Sequence, residues 1–127
     1  MSKDWYQDIK NFHTKFGAYV GSEPQIPPLP VIVLKSTLIW EEITETLNAI
    51  ANDNLEGIAD GIADSIVVLL GAAVSYGIDI RPIWDEVHRT NMLNEGGATR
   101  ADGKILKPVG WKPPKIRKLL DRQKKDS

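Results

Sequence analysis

Leu38-Ile39-Trp40-Glu41-Glu42-Ile43-Thr44-Glu45-Thr46-Leu47 and Ile58-Ala59-Asp60-Gly61-Ile62-Ala63-Asp64-Ser65-Ile66 are the two stretches around which this chain is organised. Both read as helices, and on a helix residues three and four apart share a face. Glu41 and Glu42 are each neighbours of Glu45, and Asp60 is a neighbour of Asp64. These acids sit within apolar runs formed by Leu38, Ile39, Ile43 and Leu47, and by Ile62, Ile66, Val67 and Val68. Clustered carboxylates repel one another, and a buried, unpaired one is costly. No lysine or arginine lies between Glu41 and Tyr76 to neutralise them. A hard divalent cation with oxygen ligands would do so. The competing reading places the acids on solvated outer faces, as in most charge runs. The run Ile66–Val74, apolar all round like a central helix, begins two residues after Asp64 and favours the metal.

Working outward, residues 4–16 form a first helix. Ser2 is its expected cap, Gly17 its stop, and Trp5, Ile9, Phe12 and Phe16 its apolar stripe. His13 lies beside that stripe and is given no role. Residues 17–30 hold Pro24, Pro27, Pro28 and Pro30, which favour extended backbone. Tyr19, Ile26 and Leu29 are the expected anchors of this connector. A second helix starts near Val31–Leu34 and runs to about Ala51, with Ile39, Ile43, Leu47 and Ile50 facing the core. Asn52-Asp53-Asn54 turns the chain and caps a third helix over roughly residues 55–76. Gly57 and Gly61 share one face of it, and two glycines inside a helix suit close approach by another helix or a ligand; the alternative is that the Gly-Ile-Ala-Asp repeat at 57–60 and 61–64 is a short duplication without meaning. Gly77 ends this helix. Asp79 caps a fourth, with Pro82 in its first turn and Ile83, Trp84, Val87 and Met92 toward the core. Residues 94–103 are turn-rich, 104–108 extended, and Lys115 to Gln123 a short last helix; Lys124 to Ser127 are expected to fray. Four helices with short links predict an all-α fold with a four-helix-bundle core.

The 127 residues fit a single domain, with a helical core over 1–93 and a basic extension over 94–127. No apolar stretch is read as long enough to span a membrane, and no export signal opens the chain. The absence of cysteine excludes disulfides, zinc–thiolate sites and thiol catalysis. A cytoplasmic location is the expectation. The net charge of −1 conceals a polarity: residues 1–93 carry 6 basic and 13 acidic groups, residues 94–127 carry 10 and 4. A phosphate-bearing substrate would satisfy both halves.

At these residues the chain resembles a known family. Glu41-Glu42-x-x-Glu45 followed by an acidic helix ending in Asp64 resembles the Glu-Glu-x-x-Glu … Glu-x-x-Asp signature of the MazG-like nucleoside triphosphate pyrophosphohydrolases. Phe12-His-x-x-Phe-Gly17, Leu38-Ile-x-Glu-Glu42, Glu86-Val-His-Arg-x-Asn-Met92 and Arg100-Ala-Asp-Gly-Lys-x-Leu-Lys-Pro108 look like its Cof-like, or phosphoribosyl-ATP-pyrophosphohydrolase-like, branch. The short single-domain form is most similar to the phage members called MazZ, which act on (d)GTP and feed diaminopurine nucleotide synthesis. The chain departs from the signature at Gly61, where a glutamate is expected; Asp60 is the candidate to take its place.

The resemblance implies an all-α, magnesium-dependent enzyme, with Mn²⁺ able to substitute. It implies metal binding by Glu41, Glu42, Glu45, Asp60 and Asp64, with Glu41, Glu42, Glu45 and Asp64 catalytic. Asn91 becomes a candidate for positioning phosphate or metal-bound water, Lys104 and Lys107 become candidate phosphate contacts, and charge adds Arg89. The implied reaction splits the α–β bond of a nucleoside triphosphate, (d)GTP by similarity to one branch, with dUTP or a broad dNTP range as alternative. Trp5, Trp40, Trp84 and Trp111 are read first as packing residues and only second as stacking partners for a base. The uncovered apolar surface implies a homo-oligomer, and the family's dimer of dimers implies a tetramer. No membrane partner is expected. A non-catalytic helical module whose basic tail binds nucleic acid or a protein partner is the rival, weakened by Pro108, Pro113 and Pro114. A di-iron carboxylate bundle lacks its Glu-x-x-His pairs.

Overall fold

The structure, a computed structural model, describes residues 3–93 and 97–125. Among them five helices follow one another: α1 Trp5–Phe16, α2 Leu29–Ala51, α3 Leu55–Ser75, α4 Ile80–Asn91 and α5 Ile116–Gln123. The all-α expectation holds. An isolated antiparallel bridge, Thr99 to Ile105, closes the turn Arg100–Lys104.

Local chemistry sets the helix ends. The Asp4 side chain accepts from Gln7 N and caps α1, so the cap is Asp4 and not the expected Ser2, which lies outside the described residues, as do 94–96 and 126–127. Gly17 stops α1 at φ 72°, a conformation that glycine adopts without strain. α2 starts earlier than expected because Pro30 fits inside its first turn, where no backbone donor is lost. Asn54 accepts from Gly57 N to start α3, after Asp53 turns the chain at φ 51°. Asp79 accepts from Arg81 N to start α4.

α3 is the spine, packing along α2 and, on another side, against α1. By length and composition it would be apolar enough to cross a membrane, which corrects the expectation that no stretch is. Its contacts with α2 and α1, and its Glu56, Asp60 and Asp64, are those of a bundle's central helix. α5 lies antiparallel to α4. Gln123 exchanges two hydrogen bonds with the Asp79 backbone, and Lys115 N donates to Glu86 Oε2 at the other end. Trp111 Nε1 donates to the carbonyl of buried Thr90, fastening the extension to the end of α4.

Burial departs from expectation. Trp5, Phe12 and Phe16 of the α1 stripe are exposed, as are Ile43, Leu47 and Ile50 of α2, Trp84 and Met92 of α4, and the connector residues Tyr19, Ile26 and Leu29. In the connector Pro24 and Pro27 are buried instead. On α1 and α2 the buried groups are Tyr6, His13 and Lys35. Much of each apolar stripe is therefore left uncovered by one chain, although Trp5 and Ile9 of α1 line a cavity with α3.

Candidate active site

α2 turns Lys35, Glu42 and Thr46 toward α3, a stripe of seven- and four-residue steps on one helical face. Thr46 Oγ1 donates to its own helix at Glu42 O (2.7 Å) and meets Ser65 Oγ across the interface at 3.2 Å. The glycines explain how the helices come so close. A Cβ at Gly61 would press on Thr46, 3.0 Å from its Cα, and one at Gly57 would stand 3.2 Å from the Ala49 Cβ. Gly61 therefore admits α2 and leaves no room for a glutamate at that position. Of the acids of α3, Asp64 stands at its place in the signature, and Asp60 lies one residue before the position that Gly61 occupies.

Glu42 is the half-buried member of the group, and its Oε2 is shut away from water without a hydrogen-bond partner. Burial, and then the negative charges of Glu45, Asp64, Asp60 and Glu41, hold its carboxyl above the usual carboxylate range. The five acids named from the sequence thus share one electrostatic neighbourhood across α2 and α3. Glu45 and Asp60 stand in the walls of an open polar cleft of about 410 Å³, completed by Asn48, Asn52 and Asn54. Glu41, Glu45 and Asp60 are exposed, Asp64 half-buried. Among the described residues no three carboxylate or imidazole groups stand close enough to form a coordination shell as they are. The donor set nonetheless fits a hard cation: all ligands are oxygens, and Glu42 Oε2 is a buried acceptor that nothing in the protein satisfies.

The remaining candidates lie elsewhere in the chain. Arg89 is bound in a fork to Glu86 at 2.8 and 3.1 Å, which, with the Lys115 amide, brings the Glu86 carboxyl down to about 2. Lys107 rests over the Trp111 ring at 4.3 Å. Lys104 closes the Arg100–Lys104 turn, where its backbone amide donates to Asp102. Asn91 ends α4, exposed. None of the four lines the α2–α3 cleft.

Sequence reading gave no role to His13 or Lys35. The structure joins them, Lys35 Nζ to His13 Nε2 at 3.0 Å, in a buried pair against Gly71. The available signal was spacing, since Lys35 precedes Glu42 by two helical turns on the same face.

The family model described as phosphoribosyl-ATP pyrophosphohydrolase matches residues 9–91, from the middle of α1 through the end of α4. No curated protein matches the chain.

Proposed function

The chain belongs to the phosphoribosyl-ATP pyrophosphohydrolase family, within the MazG-like all-α nucleoside triphosphate pyrophosphohydrolases, and on that premise we propose a magnesium-dependent enzyme that splits (d)NTPs, (d)GTP above all, into (d)NMP and pyrophosphate. The coarser statement is that of the family: a pyrophosphohydrolase acting on a nucleotide-like substrate. One observation supports the metal dependence in this reading. Glu42 is half-buried among four other carboxylates on two packed helices, with one oxygen unsatisfied, an arrangement that costs stability unless a cation is to be held there.

Glu41, Glu42, Glu45, Asp60 and Asp64 would hold the ion. Magnesium, when bound, neutralises phosphate oxygens and lowers the pKa of water. Glu41, exposed and next to Glu42, accepts the proton of the attacking water. The water oxygen bonds to the α-phosphorus, the bond from that phosphorus to the bridging oxygen breaks, and pyrophosphate leaves. Arg89, Asn91, Lys104 and Lys107 do not reach the cleft of their own chain, so the phosphate contacts proposed for them are made across subunits of a homotetramer. The exposed stripes of α1 and α2 support such an assembly, because they present Phe12, Phe16, Leu47 and Ile50 to the outside. The proposed setting is the cytoplasm, that of the host for a phage-encoded chain.

The test is incubation with each dNTP and Mg²⁺, followed by separation of the products. dNMP and pyrophosphate, with dGTP fastest, are expected. Release of orthophosphate would overturn the α–β assignment.

A further inference from the structure

The positive charge of the chain gathers on α5, away from the α2–α3 cleft. In this helix Ile116, Leu119, Leu120 and Gln123 are half-buried, while Lys118 and Arg122, and Lys115 at its start, are exposed. Spacing of i, i+3 and i+7 sets these three cations in a row along one outward side. Pro108, Pro113 and Pro114, which interrupt the basic segment in sequence, all precede the helix and leave the row unbroken.

The row separates two open hollows. One, of about 560 Å³, lies between α4 and α5; the other, of about 770 Å³, runs along α5, and Lys115, Lys118 and Arg122 line both. The first sets four cations against Asp85 and Glu86, the second four against Asp121. Glu86 is already answered by Arg89 at 2.8 Å, and Asp121 by Arg117 and Lys124 at 3.9 Å each. Lys112, Lys118 and Arg122 form no ion pair among the described residues. Beyond Lys115 a third hollow, of about 410 Å³, carries the line on to Trp111 and Lys112. Cations clustered in grooves focus a field that draws in an anion.

The shape of the row selects the anion. From Lys115 to Arg122 the helix rises about 10 Å, the length of roughly three nucleotides of one strand. A helix that reads duplex DNA fills the major groove, about 12 Å wide, with its own diameter of about 10–12 Å. α5 is held down on α4 by Gln123 at one end and the Lys115 amide at the other, so it does not enter such a groove. A membrane-surface helix offers an apolar face, and that of α5 is turned inward. A basic groove that tracks the backbone suits a single strand.

We propose that the α4–α5 face is a second binding site, for single-stranded nucleic acid, gripped through its phosphates by Lys112, Lys115, Lys118 and Arg122. It is separate from the triphosphate-cleaving site and does not rest on that reading. The test is fluorescence anisotropy of a labelled 20-residue oligo(dT) with the full chain, in EDTA, over 50–200 mM NaCl. Four phosphate contacts give log Kd a slope of about 3 against log salt, since each contributes about 0.7 on a single strand. Lys118→Gln/Arg122→Gln should halve that slope and weaken binding about 10- to 30-fold at 100 mM salt, with helicity and dNTP cleavage unchanged. Lys10→Gln/Lys15→Gln, which alters net charge equally on α1, should bind as the wild type does. Absence of binding at 50 mM salt, or equal losses in the two double variants, would overturn the site. So would tighter binding of a duplex of the same length, displacement of the strand by equimolar dGTP, or a preference for phosphatidylserine vesicles. A wild type that holds the strand in this way yet cleaves no dNTP would sink the catalytic reading alone.

Discussion

Lys35 Nζ donates to His13 Nε2 across 3.0 Å, from α2 to α1, at a point where both side chains are almost fully buried. His13 Nδ1 lies 3.1 Å from the carbonyl of Ile9, which can only accept, so the ring carries its proton on Nδ1 and offers Nε2 to the lysine. Gly71 makes the space: a Cβ there would come 3.2 Å from the His13 ring. The three helices meet at this spot around Lys35, which forms no ion pair with a carboxylate among the described residues.

That arrangement sets a pH dependence. Burial first, and then the Lys35 charge, lower the His13 pKa; burial lowers that of Lys35. Protonation of His13 thus favours the unfolded chain, whose histidine titrates near 6.5. Stability from this group is complete above that value and is lost as pH falls below it toward the folded pKa. Thermal melts at pH 8 and pH 5.5 should show a larger drop for the wild type than for His13→Asn. Equal drops would remove His13 as the source.

Glu42 and Asp64 separate stability from activity. Glu42→Gln removes a charge that burial and four neighbouring carboxylates oppose, so its melting temperature at pH 7 should rise. Turnover should fall about 10²–10³-fold, the usual loss when a group aimed at the reacting charge is removed. Asp64→Ala should lose activity likewise and remain helical by circular dichroism. Full activity in both variants would end the metal assignment.

Gly61→Ala tests the α2–α3 approach. Its Cβ would press on Thr46 against the α2 backbone, and overpacking of this kind costs about 1–3 kcal/mol. A lower midpoint in urea is expected, and Gly61→Glu should be worse despite the family signature. A Gly61→Ala protein as stable as the wild type would mean the helices are free to part there.

The exposed stripes make the assembly measurable. Phe16 and Leu47, 67 % and 59 % exposed, should be covered in the proposed tetramer. Light scattering should give four chains, and the melting temperature should rise with protein concentration. Phe16→Asp or Leu47→Lys should shift the mass downward. A wild-type monomer at micromolar concentration would refute the tetramer.

The local grammar of the chain was readable in advance. Asp79 and Asn54 cap where expected, Gly17 and Gly77 mark helix ends, and Gly57 and Gly61 do admit a neighbouring helix. Glu41 and Glu42 neighbour Glu45 on α2, and Asp60 neighbours Asp64 on α3, because i, i+3 and i+4 spacing fixes a face whatever the tertiary structure; their closing into one coordination shell was expected from the sequence and is not seen among the described residues. The direction of each apolar stripe was not readable. Leu47 or Phe12 looks the same in sequence whether it meets α3 or another molecule, so polar Lys35 and His13 went unnoticed inside while their apolar neighbours point out. The reach of Arg89 and Lys107 was hidden too, because Glu86 and Trp111 are partners that only folding supplies.

Gly21 donates its amide to Val74 O, and a Cβ placed on it would come 2.5 Å from Gly77 N; one on Gly77 would run into the Glu23 backbone. Two positions 56 residues apart in the chain are thereby welded into a single constraint that no side chain at either end can share. In a randomised library screened for folded protein, glycine should return at both sites. Larger residues there should vanish together with the seam that fastens the α1–α2 crossing to the foot of the spine.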